Sequence, residues 1–402
     1  MIETRAVRTE ELDAMLEIMC AAFELTPGPA RELFFRDPFF NVENKRVLVA
    51  DGRVVSCLTV ADAFVWIGPA LVPVAGLAGV ATHPDFRRRG FARRLLCDTV
   101  AHLRGRGTPL SALIPCSPSF YRRAGWERAA GHARTLIPYP RRADFAEVRQ
   151  VRPAIDSDRN AIGRLYDRWA RGRTGCCKRD ERRWRALFDR VKGRALHCGD
   201  RVDGYVLYEF REDTEAHRVL RILELVAETD AALRGLAAFL SAQKDLVAVE
   251  HNGPPGDPAA AALACWLGGD ESGCRPVTEW LHGAMFRVVG FEAALRCLAP
   301  CLQGLDGTVD LICRDSWTSP PVTEAVRISG GGGSATVEAA PARRGSMRIE
   351  GDSGAWAAVL AGCWSLEDAA ALNRLHVLGG ADWVASPHFP RRNPCLPLPD
   401  HF

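Results

Sequence analysis

The sequence predicts an α/β protein in which two similar α/β units are followed by a smaller α+β unit. Its 402 residues exceed the roughly 100–200 residues expected of one domain. Helices, hairpin strands and then a strand, a helix and a strand occur in residues 1–140 and again in residues 141–290. Residues 291–402 contain short strand-like runs, a glycine run and a proline-rich end. We therefore expect three domains, with boundaries at residues 140 and 290.

The first unit opens with two helices and a hairpin. Apolar residues recur at helical spacing in Glu10–Phe23, and Ala30–Phe35 is expected to form a second helix. Asp51-Gly52 is a strong signal for the turn of a β-hairpin. The predicted strands are Arg46–Ala50, Arg53–Val60 and Phe64–Trp66. Antiparallel strands therefore precede the segment that carries the main motif.

A strand, a basic loop, a helix and a second strand follow one another in residues 77–114. The strands are predicted over Leu77–Thr82 and Leu110–Ile114, and the helix over Phe91–Arg104. The loop reads Arg87-Arg88-Arg89-Gly90-Phe91-Ala92, with the spacing Arg-x-x-Gly-x-Ala. Small residues let backbone N–H groups approach a phosphate, and the helix dipole and the arginines favour negative charge. The motif predicts an anion site, and the alternative is a solvated basic helix start.

The second unit repeats this order without the motif. Its predicted helices are Asp158–Arg171, Arg182–Phe188 and Asp230–Gln243, and its predicted strands are Ala195–His197, Tyr205–Phe210, Leu220–Ala227 and Leu246–Val249. The junction that corresponds to the basic loop is Ala227-Glu228-Thr229, which has an acid and no glycine. Because an acid repels a phosphate, we expect no anion site in this unit.

The third unit mixes short strands and helices. Strand material is predicted over Cys297–Arg314, Val337–Ala339 and Arg348–Glu350, with a flexible loop at the glycine run Ser329–Ser334. Helices are predicted over Ser353–Leu360 and Leu366–Leu372, with Asp352 and Ser365 as N-caps. The tail Ser386–Phe402 contains five prolines and is not expected to be helical.

Composition argues against several classes of function. The net charge of +3 and the absence of a sustained basic face exclude a nucleic-acid-binding protein. The acidic N-terminal stretch is not a signal peptide, and no apolar run reaches the roughly 18 residues of a membrane span. The 14 cysteines include no C-x-x-C, and neither Cys297 with Cys301 nor Cys176-Cys177 has zinc spacing. We expect a cytoplasmic protein without metal, disulfides, nucleic-acid partner or membrane partner.

The strand, basic loop, helix and strand of residues 77–126 resemble the coenzyme A site of the GNAT acetyltransferases. A wider resemblance is carried by the segments Ala75-Gly76-Leu77, Arg87-Arg88-Arg89-Gly90, Phe120-Tyr121-Arg122-Arg123-Ala124-Gly125-Trp126, Tyr166-Asp167-Arg168-Trp169, Asp203-Gly204-Tyr205-Val206-Leu207-Tyr208, Ala369-Ala370-Ala371-Leu372-Asn373-Arg374-Leu375 and the last residue, Phe402. Through these segments the whole chain resembles the Eis (enhanced intracellular survival) acetyltransferases of that superfamily. The resemblance implies tandem GNAT domains followed by a sterol-carrier-protein-like (SCP2-like) α+β domain, assembled as a hexamer.

The resemblance also implies acetyl transfer from acetyl-CoA to a primary amine of a small molecule, with aminoglycosides among the family's acceptors. Carried over to this sequence, the residues that bind coenzyme A are Val80, Ala81 and Thr82 for the pantetheine, Arg87, Arg88, Gly90, Phe91 and Ala92 for the pyrophosphate, and Cys116 and Ser117 beside the pantetheine arm. Tyr121 is implied as the general acid, and the terminal carboxylate of Phe402 as the general base.

The acceptor is left open by the sequence. His401 stands where aminoglycoside-modifying relatives carry an acid, with Asp400 one position earlier. One alternative is a biosynthetic acyltransferase that uses another acyl-CoA or modifies an amine of a natural product. A second, non-enzymatic alternative is a protein that binds coenzyme A or a lipid. The intact motif and Tyr121 favour an enzyme over this second alternative.

Overall fold

The computed structural model describes residues 1–214, 217–269, 275–341, 347–379 and 388–401. The chain divides into two compact units. Met1–Ala129 and Ala284–Arg391 lie in the first unit, and Ala130–Gly283 and Arg392–His401 form the second. The strand that begins at Gly131 pairs within the second unit, and the strand that ends at Val288 pairs within the first. The domain boundaries at residues 140 and 290 stay predictions.

Residues 1–129 begin the first unit. Their elements, in chain order, are β1 Ile2–Ala6, α1 Leu12–Phe23, α2 Pro27–Arg36, β2 Lys45–Ala50, β3 Arg53–Ile67, β4 Ala70–Thr82, α3 Phe91–Gly105, β5 Leu110–Leu113, α4 Pro118–Arg123 and β6 Glu127–Arg128. Helices α1 and α3 confirm the predicted helical segments. The prediction of two strands in residues 53–66 is wrong, because Asp62 and Ala63 also pair with β4 and keep β3 continuous.

Residues 130–283 supply most of the second unit. Their elements are β7 Gly131–Pro138, β8 Val151–Pro153, α5 Arg159–Ala170, α6 Glu181–Arg190, β9 Gly193–Cys198, β10 Val202–Thr214, β11 His217–Ala227, α7 Asp230–Ser241, β12 Leu246–Gly253, α8 Pro258–Leu267 and β13 Val277–His282. In the described part of this unit the strand order is β13-β7-β12-β11-β10-β9-β8. The parallel strands β11 and β12 are joined by α7, which repeats the predicted order of a strand, a helix and a strand.

Residues 284–391 complete the first unit. Their elements are β14 Met285–Val288, α9 Phe291–Cys297, β15 Gly307–Asp315, β16 Val322–Gly331, β17 Ser334–Ala339, β18 Arg348–Asp352, α10 Ser353–Leu360, α11 Leu366–Ala371 and β19 Leu375–Leu378. Two predicted N-caps are confirmed, since Asp352 accepts from the Ala355 N–H and Ser365 from the Asp368 N–H. The strand predicted over Cys297–Arg314 is confirmed from Gly307, where β15 begins, but its start is wrong, because Cys297 ends α9.

The first unit contains two sheets. Within the described residues, the first has the order β1-β2-β3-β4-β5-β14-β6 and the second has the order β17-β16-β15-β18-β19. The glycine run predicted as a loop provides the end of β16 and its turn into β17. Helix α3 crosses between the parallel strands β4 and β5 and buries Leu95, Leu96 and Val100 against the first sheet. This crossover places the basic loop at the carboxyl end of β4.

Three further observations concern the described residues. None of their helices is long and apolar enough to cross a bilayer. None of their cysteines forms a disulfide bond. They contain no group of three or more histidine, cysteine, aspartate or glutamate side chains placed to hold a metal ion.

Candidate active site

The pairing of β4 with β5 ends five residues before the end of β4. The two strands pair in parallel from Val74 with Leu110 to Leu77 with Leu113, where β5 ends, while β4 continues to Thr82. The β3–β4 register shifts between Cys57 and Thr59, and Gly79 adopts a φ of +60°. Val80, Ala81 and Thr82 therefore lie on a stretch of β4 that has passed the end of β5. A β-bulge locally redirects the backbone, and bulges are common next to active sites.

The Arg-x-x-Gly-x-Ala loop forms the start of α3. Gly90 is the N-cap with a φ of +80°, and Arg88 also has a positive φ, of 63°. The Arg94 N–H donates to the Gly90 oxygen at 3.0 Å. The N–H groups of Phe91, Ala92 and Arg93 come before this bond and have no acceptor within the helix. No side chain among the described residues makes the N-cap hydrogen bond. Free N–H groups at the positive end of a 15-residue helix favour an anion.

A cleft of about 660 Å³ opens beside this loop, within the range of about 300–1,000 Å³ that is usual for small-molecule sites. Its basic residues are Arg87, Arg88, Arg93 and Arg123. Its aromatic residues are Phe86, Phe91, Phe120 and Trp317, and its remaining lining residues are Thr82, Gly90, Ala92 and Ala124. An anionic, partly apolar ligand such as coenzyme A fits this lining, because arginines suit its phosphates and aromatic rings suit its apolar parts.

A substitution at Gly90 tests whether the loop binds coenzyme A. We expect Gly90→Ala to weaken coenzyme A binding about tenfold, because the added Cβ would occupy open space beside the backbone that the anion site needs and would disfavour the positive φ. The matched control is Gly52→Ala in the β2–β3 turn, where φ is +79° and, as at Gly90, no atom lies within 4 Å of the added Cβ. Both variants should lose about 1–2 kcal/mol of stability. Equal coenzyme A dissociation constants for the two variants, measured by calorimetry, would contradict the loop's role.

Tyr121 lies on the short helix α4, which follows β5. Its side chain is 4% exposed, and its ring packs edge-on against Phe120 and Trp126 at centroid distances of 5.1 and 6.3 Å. Burial raises the pKa of the Tyr121 phenol above its ordinary value, and the neighbouring Cys116 thiol raises it further. The hydroxyl is therefore protonated at neutral pH. Cys116 is exposed just before α4, and Ser117 is the N-cap residue of α4.

Phe402, the base implied by the resemblance, lies outside the described residues. The tail before it lies in the second unit, where the Cys395 N–H donates to the Thr174 oxygen at 2.9 Å. Asp400 is buried and accepts from Arg179 Nε at 2.7 Å. His401 is largely buried, and burial lowers the pKa of its imidazole. The tail is therefore fixed up to His401.

The junction in the second unit that corresponds to the basic loop contains a carboxylate. Glu228 follows β11 and forms ion pairs with Arg168 at 2.6 Å and Arg201 at 3.1 Å. The Thr229 hydroxyl caps α7 by accepting from the Ala232 N–H at 3.1 Å. An acid and a capped helix start disfavour a phosphate there. The absence of a coenzyme site in this unit stays a prediction.

Part of the cleft is not evident in the sequence motif. Arg93 and Arg123 lie within the motif region, where their positive charge could have indicated that they belong to an anion site. Phe86 directly precedes the Arg-x-x-Gly-x-Ala loop, and Phe120 begins the segment Phe120–Trp126 that carries part of the resemblance. Trp317, however, comes from the segment after β15, and nothing in its local sequence indicates a site.

Models of an acetyltransferase (GNAT) domain match residues 3–129 and residues 175–266. The N-acetyltransferase Eis of Mycobacterium tuberculosis is 28% identical to this chain over 251 residues. The chain contains two acetyltransferase (GNAT) domains and is Eis-like in sequence. The alignment covers 57% of this chain and 58% of Eis, so the chain matches little more than half of this relative's length.

Two solved structures have the same fold over nearly the whole chain. A GCN5-related N-acetyltransferase from Anabaena variabilis aligns over 100% of both chains with a TM-score of 0.81 and 19% identity. Eis1 from Mycobacterium abscessus aligns over 98% of this chain and 96% of its own, with a TM-score of 0.71 and 18% identity. At these identities the likeness establishes the fold of this GNAT protein.

Proposed function

We propose that this protein is an acetyl-CoA-dependent N-acetyltransferase that transfers acetyl to a primary amine of a small molecule. GNAT acetyltransferases use acetyl-CoA in general. The observation that carries the proposal is the cleft in which the open start of α3, a set of arginines and aromatic rings come together. The buried Tyr121 follows the end of β5, close in sequence to the cleft residues Phe120 and Ala124.

In this proposal, three groups of residues bind different parts of acetyl-CoA. The stretch Val80, Ala81 and Thr82 of β4 holds the pantetheine through its backbone, as a strand edge binds an extended ligand. Arg87, Arg88, Gly90, Phe91 and Ala92 hold the pyrophosphate through N–H groups and guanidinium charge. Cys116 and Ser117, between β5 and α4, flank the pantetheine arm.

Tyr121 is the general acid in this proposal. The amine nitrogen forms a bond to the acetyl carbon, the carbon–sulfur bond breaks, and the departing sulfur receives a hydrogen bond and then the proton of the Tyr121 hydroxyl. The proton that the amine loses goes to a base. The resemblance assigns this base to the terminal carboxylate of Phe402.

The remaining features of the proposal concern the acceptor and the assembly. Aminoglycosides are proposed as one group of acceptors, because the resemblance to the Eis family implies them. The module of residues 291–391, with its five described strands and helices α10 and α11, is proposed to be SCP2-like. A homohexamer in the cytoplasm completes the proposal.

A thiol-release assay tests the proposed function. The purified protein is mixed with acetyl-CoA and, in turn, with aminoglycosides, polyamines and small amino-group metabolites, and free coenzyme A is measured. We expect release with at least one amine and none without an acceptor. Parallel reactions with longer acyl-CoAs test the biosynthetic acyltransferase alternative. Calorimetric binding of coenzyme A without release from any acceptor would contradict the enzyme and support the binding-protein alternative.

A further inference from the structure

Trp317 lies on the segment that follows β15, yet it forms part of the cleft wall. It lines the cleft together with Gly90, Phe91 and Phe120. Its indole is partly buried and packs on the core cluster that includes Leu96 of α3. Its backbone oxygen accepts a hydrogen bond from Cys97 Sγ of α3 at 3.9 Å. The module of residues 291–391 thereby contributes an aromatic side chain to a cleft whose other walls come from residues 82–124.

A buried arginine holds Trp317 in this position. Arg287 of β14 is fully buried, and its guanidinium carbon lies 5.2 Å from the ring centroid of Trp317 and 5.1 Å from that of Trp126. The two indoles meet edge-on at 6.1 Å. A guanidinium in contact with two indoles makes favourable cation–π interactions, which are strongest away from water. Trp317 is therefore part of a packed group of side chains rather than a free surface residue.

Arg287 also connects Asp315, two residues before Trp317, to Ala124 at the end of α4. Its Nη2 donates to Asp315 Oδ2 at 2.5 Å, and its Nη1 donates to the Ala124 oxygen at 2.5 Å. Asp315 also accepts from Arg104 Nη2 of α3 at 2.8 Å. Gly125 makes room for this contact, because a Cβ there would lie 1.6 Å from Arg287 Nη1. These bonds hold the segment before Trp317 against both α3 and α4.

We propose that the module of residues 291–391 is part of the coenzyme site and that Trp317 contacts bound coenzyme A. The inference rests on the proposed use of acetyl-CoA as substrate. The cleft places Trp317 among aromatic neighbours, beside the loop whose arginines suit the phosphates. A flat indole in this place suits a ligand that carries both a purine ring and an apolar arm, because purines stack on aromatic side chains. A fixed indole binds at a lower entropic cost than a mobile one.

The test compares Trp317→Ala and Trp317→Phe with a control tryptophan. Trp280 is suitable as the control, because it is 70% exposed on β13 in the second unit. Coenzyme A is titrated into each variant by calorimetry, and KM for acetyl-CoA is measured with any acceptor found active. We expect Trp317→Ala to raise the coenzyme A Kd by at least about tenfold. A change of this size is typical when an aromatic stacking partner of a base is removed. Trp317→Phe should raise the Kd only about twofold, and Trp280→Ala should leave it unchanged.

A spectroscopic measurement checks the contact directly. Binding of coenzyme A should change the tryptophan fluorescence of the wild-type protein, and Trp317→Phe should remove most of this change. If the wild-type protein binds coenzyme A and Trp317→Ala binds it with the same Kd, the inference is overturned and the proposed function is left intact. Failure of the wild-type protein to bind coenzyme A would instead overturn the proposed function. Thermal unfolding of each variant shows whether a changed Kd reflects a lost contact or a lost fold.

Discussion

Tyr121→Phe is expected to lower kcat by about 10²- to 10⁴-fold, the contribution typical of a positioned general acid. The substitution removes a single hydroxyl from a buried ring and leaves the packing against Phe120 and Trp126 in place. The dissociation constant of coenzyme A should therefore stay within about twofold of the wild-type value, because the variant keeps the cleft lining. Steady-state kinetics with acetyl-CoA and calorimetry with coenzyme A measure the two quantities.

The pH dependence of kcat should reflect the burial of Tyr121. A thiol has an ordinary pKa of about 8.5 and a phenol one of about 10, and burial raises the pKa of Tyr121 above its ordinary value. A raised pKa keeps the proton on the phenol to higher pH, so kcat should not fall between pH 7 and 9 through loss of this proton. Transfer to the sulfur is uphill, by at least about 2 kcal/mol at these values. The hydroxyl therefore acts first as a hydrogen-bond donor to the developing thiolate.

Tyr208→Phe is the matched control for this prediction. Tyr208 is also buried, its ring packs against Phe210 and Phe239, and burial raises the pKa of its phenol as well. It lies in the second unit, where no anion site is predicted. Tyr208→Phe should leave kcat within about twofold of the wild type while changing stability as much as Tyr121→Phe does. A Tyr121→Phe enzyme with near-normal kcat would show that another group protonates the sulfur.

The strand, loop, helix and strand of the motif could be predicted because local signals agree there. Apolar spacing marks α3, and the loop residues match the geometry that an anion site needs. The helix α10 is equally local, since Asp352 caps it and an apolar run fills it. Each of these two helices, with the residues just before it, contains both the residues that mark its start and the apolar residues that it buries.

The placement of β14 in the sheet of the first unit could not be predicted in the same way. β14 has four residues, all buried, and one of them is Arg287. An arginine in a short strand suggests an exposed edge. Its burial depends on partners that are distant in sequence, above all Asp315 and Trp317. Trp317 reaches the cleft through the same long-range contacts, which no local pattern encodes.

The tail of the second unit supplies the prediction with the largest expected effect on stability. Arg179 is fully buried, and its guanidinium pairs with two carboxylates that are also buried, Glu224 at 2.8 and 2.6 Å and Asp400 at 2.7 and 2.9 Å. The hydroxyls of Tyr205 and Tyr166 donate to Glu224 and Asp400 at 2.6 and 3.2 Å. Removing the cation would leave two buried carboxylates without a positive partner.

Arg179→Met should therefore lower the free energy of unfolding by about 3–5 kcal/mol, the cost of breaking a buried ion pair by removing one partner. The control is Arg185→Met, which removes an exposed pair with Glu181 on α6 and should cost no more than about 0.5 kcal/mol. Urea unfolding followed by tryptophan fluorescence measures both values. A loss below about 1 kcal/mol for Arg179→Met would show that the cluster contributes little to stability.

The combined variant Arg179→Met, Glu224→Gln, Asp400→Asn separates charge from packing. It removes the cation and both carboxylates together, so no buried charge of the cluster remains unpaired. Because replacing a whole buried ion network with neutral groups is often close to neutral in stability, the triple variant should be more stable than Arg179→Met alone. Hydrogen exchange at the Cys395 N–H, which donates to the Thr174 oxygen at 2.9 Å, should be fastest in Arg179→Met and slower in the triple variant. Equal exchange in all variants would mean that the tail is held by its backbone hydrogen bonds and apolar contacts, and not by the Asp400 ion pair.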